Sequence, residues 1–101
     1  MRYAVYLDTV PSPSTPALDE LQRVGATIVL TEAFDEMDPV TIDEYWLGAH
    51  PEGVIVKIWV DVDTPQLAEA VALEATERVL QAAELLPGWS VAGVNSEVAL
   101  G

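Results

Sequence analysis

Alternation of apolar and polar residues predicts two strands in this chain. Arg2–Asp8 alternates, with its larger apolar residues at Tyr3, Val5 and Leu7. Gly53–Asp63 alternates over its whole length. Because successive side chains of a strand point to opposite faces, we expect the more apolar face of this segment to lie against the core. That face consists of Val54, Val56, Ile58, Val60 and Val62.

Threonine–proline pairs predict the starts of two helices. Thr15–Pro16 opens a short helix that we expect to end at Gly25, and Thr64–Pro65 opens a long helix that reaches about Leu86. A threonine hydroxyl caps a helix, proline fits its first turn, and glycine tolerates the left-handed geometry that ends it.

The long helix has a predicted core stripe and two leucines outside it. At about 100° per residue, Leu73 and Leu80 fall on the side opposite the stripe, so we expect them on an outer ridge that is available for contact. The stripe consists of Leu67, Val71, Ala75, Val79, Ala82 and Leu86.

Two further strands and one insertion complete the prediction. Ala26–Phe34 is rich in β-branched residues and predicts the second strand, and Trp89–Val98 predicts the last. Asp35–Glu52 is long for a simple connection, so we expect an inserted flap that packs on the domain.

The resulting order is strand, helix, strand, taken twice, and it resembles the ferredoxin-like superfold. The resemblance implies one α+β domain over residues 1–101, a βαββαβ sandwich with a four-stranded antiparallel sheet. Right-handed crossovers place both helices on one face of the sheet. The flap, 35–52, would lie between the second and third strands.

Composition narrows the class of protein. Half of the residues are hydrophobic, which argues against intrinsic disorder, and the absence of cysteine excludes disulfides and thiolate metal sites. The predicted long helix carries too many charges to span a bilayer, and no secretory signal is visible. We therefore expect a cytoplasmic protein with no membrane partner.

The charge balance bears on macromolecular partners. Four Lys and Arg residues against seventeen Asp and Glu give a net charge of −13, which repels phosphate backbones. Direct nucleic-acid binding is therefore not expected. A basic protein would complement this charge, although solubility alone also explains it.

Residues with catalytic or metal-binding chemistry are sparse. The single histidine, His50, lies in the predicted flap near an acidic cluster, but the cluster lacks calcium-loop spacing. No catalytic motif, phosphate-binding glycine loop or nucleotide fingerprint is present in the sequence. We therefore predict no catalytic residue, no cofactor and no metal. The cluster consists of Asp35, Glu36, Asp38, Asp43 and Glu44.

The leading functional hypothesis rests on the sheet face that the helices leave open. If the valine-rich face points to the core, the other face carries Tyr6, Ile55, Lys57 and Trp59. An apolar and aromatic surface of this kind needs a cover. It predicts a non-enzymatic homo-oligomeric or protein-binding module.

Two alternatives belong to other classes. The first is an acidic inhibitor that mimics nucleic acid toward a basic protein, using Asp35–Glu52 together with Glu69, Glu77 and Glu84 on the outer side of the long helix. The second is a small ligand-binding protein or enzyme with a pocket between sheet and flap. That pocket would be bordered by Tyr45, Trp46, His50 and Trp59.

Overall fold

Six elements follow one another in βαββαβ order in the computed structural model, which describes residues 1–99. Their strands form one sheet in the order β2-β3-β1-β4, with every neighbouring pair antiparallel. The predicted ferredoxin-like α+β fold is confirmed. The elements are β1 (Arg2–Val10), α1 (Glu20–Met37), β2 (Glu44–His50), β3 (Gly53–Asp61), α2 (Pro65–Ala82) and β4 (Ser90–Val98).

The core lies between the sheet and the two helices. Alternate residues of β1 and β3 are fully buried there, and both helices contribute their own buried side chains. Val5 and Val56 represent the strands, Phe34 represents α1, and Val79 represents α2. As predicted, the valine-rich face of β3 points to the helices. Hydrophobic burial on this one face holds the two layers together.

The first helix differs from its prediction. The expected helix from Thr15–Pro16 to Gly25 and the expected strand Ala26–Phe34 are both wrong, because Glu20–Met37 forms a single helix. Its cap is Asp19, whose carboxylate accepts a hydrogen bond from the Gln22 backbone N–H at 2.7 Å. The Gln22 side-chain oxygen in turn accepts one from the Asp19 N–H at 2.9 Å. This reciprocal capping box fixes the start of the helix.

The apolar pattern of α1 explains the error. Ala26, Leu30 and Phe34 are buried at four-residue spacing, whereas Leu21 and Ile28 are exposed on other sides. Because apolar residues occur around most of the helix, the period of 3.6 residues is hidden in the sequence. Packing against the sheet then overrides the strand preference of the β-branched residues.

Gly25 provides a test of this helix. It lies inside α1 rather than at its end, and an added Cβ there would meet no atom within 4 Å. Replacing Gly25 by alanine should therefore stabilise the protein by about 0.5–1 kcal/mol, since alanine loses less backbone entropy in a helix. Urea unfolding measures the change. A strand or helix end at this position would show no such gain.

The predicted flap Asp35–Glu52 is also wrong as an element. Its first residues complete α1, which ends at Asp38 in the left-handed region (φ 43°), and Glu44–His50 forms the edge strand β2. Pro51 and Glu52 alone connect β2 to β3. This segment therefore widens the sheet instead of covering it.

The second helix begins as predicted but turns a different face to the sheet. Thr64 caps it, its hydroxyl accepting from the Leu67 N–H at 3.2 Å. The buried stripe is rich in alanine, and Leu80 belongs to it with 7% of its surface exposed, whereas Leu67 is 47% exposed. The predicted outer ridge of Leu73 and Leu80 is thus wrong, because small side chains allow the helix a close approach to the sheet. Within residues 1–99, neither helix is both long and apolar enough to cross a membrane.

Candidate ligand-binding cleft

A cleft of about 570 Å³ opens where the end of α2 meets the start of β4. After Ala82 the chain turns through Pro87 and Gly88 before it enters the sheet at Ser90. Gly88 has φ of 79°, a left-handed conformation that glycine adopts without strain. The turn lets the chain reverse direction and leaves this cleft, which we call the α2–β4 cleft, beside it.

The walls of the α2–β4 cleft are mainly apolar and are fixed by the fold. Leu80 and Ala83 are themselves members of the buried core. The half-buried Trp89 packs against that core and is part of the cleft lining. The apolar side chains of the lining are Leu73, Leu80, Ala83, Leu86, Pro87, Trp89 and Val91.

The polar side chains that line the α2–β4 cleft are either acidic or neutral. Glu77 and Glu84 contribute carboxylates, and Gln81 and Ser90 contribute neutral polar groups. No Lys or Arg lines the cleft, and neither carboxylate takes part in an ion pair within the described chain. The local field is therefore negative, which favours neutral or cationic ligands over anions.

A second cleft, of about 310 Å³, lies between the end of α1 and the middle of α2. Its charged lining includes Glu74 and Arg78, which pair with each other at 3.0 Å. Because these two charges are already paired with each other, the second cleft offers a ligand fewer free polar groups than the α2–β4 cleft does.

The pocket residues predicted from sequence do not converge. Tyr45 points to the helices and stacks on Phe34, with ring centroids 5.0 Å apart. Trp46 and His50 lie on the side of the sheet away from the helices. Both alternate with Tyr45 along β2, and Trp46 pairs with Lys57 of β3, which also points away from the helices. His50 Nδ1 accepts a hydrogen bond from the Glu52 N–H at 3.3 Å. The sheet therefore separates Tyr45 from Trp46, His50 and Trp59, which all lie on the side away from the helices.

The residues predicted for the uncovered sheet surface do lie together. Tyr6, Ile55, Lys57 and Trp59 share the surface turned away from the helices, which we call the open face. The Lys57 ammonium lies 5.1 Å from the Tyr6 ring centroid and 4.7 Å from that of Trp59. Their role as an interface stays a prediction.

Of the three carboxylates expected on the outer side of the long helix, one is turned toward the sheet. Glu69 is partly buried and accepts a hydrogen bond from the Ser96 hydroxyl at 2.7 Å, so it faces β4. Glu77 and Glu84 line the α2–β4 cleft instead. In the described part of the chain, no group of three His, Asp or Glu side chains is arranged to hold a metal ion.

The sequence contained a partial signal for the α2–β4 cleft. Pro87 and Gly88 predict a turn between a helix and a strand, and a tryptophan directly after such a turn borders any groove beside it. The position of Leu80 was missed because the predicted core stripe was centred on the side of Leu67, whereas the buried face also includes Ala68, Ala72 and Thr76.

Comparison with known proteins supports the fold. No family model matches the sequence, and no curated protein matches it significantly. One similar solved structure is described as a putative antibiotic biosynthesis monooxygenase from Chloroflexus aurantiacus. It is 14% identical, with a TM-score of 0.54, and the match covers 100% of this chain and 95% of that one.

This comparison corrects the leading hypothesis from sequence. The expected non-enzymatic protein-binding or homo-oligomeric module is wrong, because a solved structure that matches the whole chain is described as an enzyme. The alternative of a small ligand-binding protein or enzyme agrees better with that finding.

Proposed function

We propose that this protein binds a small molecule in the α2–β4 cleft, and that the ligand has a flat apolar body and is neutral or cationic. The observation that carries the proposal is a cleft of about 570 Å³ with an apolar wall and two unpaired carboxylates. Such clefts, with a few polar groups, are the usual form of small-molecule sites. The description of the structural neighbour as an enzyme of antibiotic biosynthesis supports a small-molecule ligand.

Each part of the cleft has a role in this binding. Leu73, Leu80 and Val91 remove apolar ligand surface from water, which stabilises the complex by about 25 cal/mol per Å². Trp89 presents an aromatic ring to a flat ligand or to a cation. Glu77 and Glu84 attract a cationic group and repel an anionic one.

Three naphthalene probes of the same shape test the charge preference. We expect 2-naphthylmethylamine and the neutral naphthalene-2-carboxamide to shift the Trp89 indole N–H resonance in a protein NMR titration, and 2-naphthoate to leave it unchanged. Substitution Glu77→Gln should weaken binding of the amine about twofold to fivefold, as for exposed ion pairs, and leave the amide unaffected.

The matched control for this test is Glu32→Gln. Glu32 is an exposed carboxylate on α1, away from the cleft, so its removal changes the net charge equally without changing the site. Equal binding of the amine and 2-naphthoate at Trp89, or equal effects of the two substitutions, would contradict the proposal. So would the absence of any probe-induced shift at Trp89.

We also propose that the protein is cytoplasmic and makes no direct contact with nucleic acid or membranes. The net charge of −13 supports the last two statements, since it opposes approach to phosphate groups. Retention on an immobilised DNA or an anionic vesicle at physiological salt would contradict them.

A further inference from the structure

A row of side chains with complementary chemistry crosses the centre of the open face. Trp46 on β2 lies directly opposite Lys57 on β3, which lies opposite Tyr6 on β1, which lies opposite Asn95 on β4. Residues paired in this way point to the same side of a sheet with Cβ atoms about 4.5–5.5 Å apart. The row therefore joins two aromatic rings, an ammonium and an amide into one surface.

Lys57 is the exceptional member of this row. Arg2 pairs with Glu44, Arg78 with Glu74, and the N-terminal amine with Asp61. Arg23 joins no ion pair in the described chain, but it donates a hydrogen bond to the Leu18 carbonyl oxygen at 2.7 Å. Lys57 joins no ion pair within residues 1–99, although the chain has seventeen carboxylates. Its ammonium is held instead between the Tyr6 and Trp59 rings. Cation–π contacts of this kind position a charge and leave its hydrogen-bonding capacity available.

Trp46 supplies an aromatic surface on the same side of the sheet, from the position opposite Lys57 on β2. Its indole lies over Gly48, because a Cβ added to Gly48 would overlap the indole ring atoms. The Trp46 residue is 55% exposed, so part of its surface is open to solvent. A flat ring can stack on that surface while an attached anionic group reaches toward Lys57.

We infer that this row is a second ligand site, which takes a planar aromatic carboxylate. The ring stacks on Trp46, and the carboxylate accepts hydrogen bonds from the Lys57 ammonium. A single negative charge is favoured over a phosphate dianion, because the chain as a whole carries −13. A second copy of this chain complements the row less well, since it brings the same net charge.

The naphthalene probes test this inference by NMR, with the three indole N–H resonances as reporters. We expect 2-naphthoate to shift the Trp46 and Trp59 resonances and not that of Trp89. Naphthalene-2-carboxamide should bind the open face about threefold to tenfold more weakly, as should 2-naphthoate after substitution Lys57→Met. Arg78→Met removes a cation from the exposed surface of α2 and is the matched control, with unchanged affinity.

Several results would overturn the inference. Equal affinities for 2-naphthoate and naphthalene-2-carboxamide would mean that stacking accounts for all of the binding. An equal response to sulfate would mean that Lys57 only attracts anions in general. Equal losses of 2-naphthoate affinity in Lys57→Met and Arg78→Met would mean that the effect comes from net charge and not from the position of Lys57. Sedimentation that shows a dimer at the NMR concentration, with Trp46 unresponsive to 2-naphthoate, would assign the open face to a second copy. Trp46→Leu gives a second variant, in which 2-naphthoate binding should also fall.

Discussion

Replacement of Phe34 by alanine is expected to lower the free energy of unfolding by about 3–5 kcal/mol. Phe34 is fully buried on α1, and its ring stacks on Tyr45 of β2 with an interplanar angle of 28°. The substitution leaves a cavity between the helix and the edge strand, and it removes the aromatic contact as well. A loss of this size is a large part of the stability of a domain of this length.

Urea unfolding followed by circular dichroism measures this loss. Leu21→Ala is the control, because Leu21 belongs to the same helix and is 80% exposed, so its truncation should change stability by less than about 0.5 kcal/mol. Similar effects for the two variants would mean that α1 does not pack on the sheet through Phe34. If Phe34→Ala does not fold at all, Phe34→Leu provides a smaller change at the same position.

The strands with the clearest alternation could be predicted from sequence. β1 and β3 appear within a few residues of their expected bounds, because one face of each is apolar and the other is not. β4 does so too, although a register shift opposite Asp8 and Thr9 interrupts its alternation. The start of α2 was also predictable, because Thr64 caps the helix and Pro65 fits its first turn without any contact to distant residues. These elements supply only part of the βαββαβ order, because α1 and β2 lie between β1 and β3 and were predicted at the wrong residues.

The failures lie where tertiary packing decides. Ala26–Phe34 contains β-branched residues that favour a strand, yet the capping box at Asp19 and burial of Leu30 against the sheet make it helical. β2 was missed because its alternation is interrupted by Gly48 and ends at His50 and Pro51. An edge strand buries only one face partly, so its sequence carries a weak pattern.

The site was harder to predict than the fold for a related reason. The α2–β4 cleft depends on which face of α2 meets the sheet, and the face that does so combines alanines with Leu80 and leaves Leu67 exposed. Close approach of helix to sheet is a property of both surfaces, and one helix alone does not reveal it. The open face, by contrast, follows from strand alternation alone, and Tyr6, Ile55, Lys57 and Trp59 were correctly placed on it.

The two candidate ligand surfaces differ in their cations, although the open face also carries Glu97, which lines a groove with Lys57 and accepts a hydrogen bond from the Tyr6 hydroxyl at 2.8 Å. Lys57 and Arg2 both lie near Trp59 on the open face, whereas the lining of the α2–β4 cleft contains neither Lys nor Arg. A single set of probes of equal shape and different charge should therefore separate the two surfaces. Failure at one surface does not affect the result at the other, because the Trp89 and Trp46 indoles report on them independently.

Alanine at Gly53 is expected to lower the free energy of unfolding by about 3 kcal/mol. Gly53 is buried at the start of β3, and a Cβ there would overlap the backbone carbonyl oxygen of Thr9 and approach the Val10 Cα to 3.2 Å. The strands must then separate, because backbone atoms cannot move aside as a flexible side chain does. That movement also disturbs the buried hydrogen bond from the Thr9 hydroxyl to the Val54 carbonyl, which measures 2.8 Å.

The same substitution at two other glycines provides the controls for Gly53→Ala. Gly25→Ala should raise stability, because no atom lies near an added Cβ on the exposed side of α1. Gly48→Ala should cost less stability than Gly53→Ala, because the half-exposed Trp46 indole can rotate away. Urea unfolding of the three variants should therefore rank them Gly25, Gly48, Gly53 from most to least stable. An equal response at Gly48 and Gly53 would mean that the β1–β3 spacing at Thr9 is not tight. In that case the small loss would reflect strand propensity alone, since neither glycine has a positive φ that disfavours alanine.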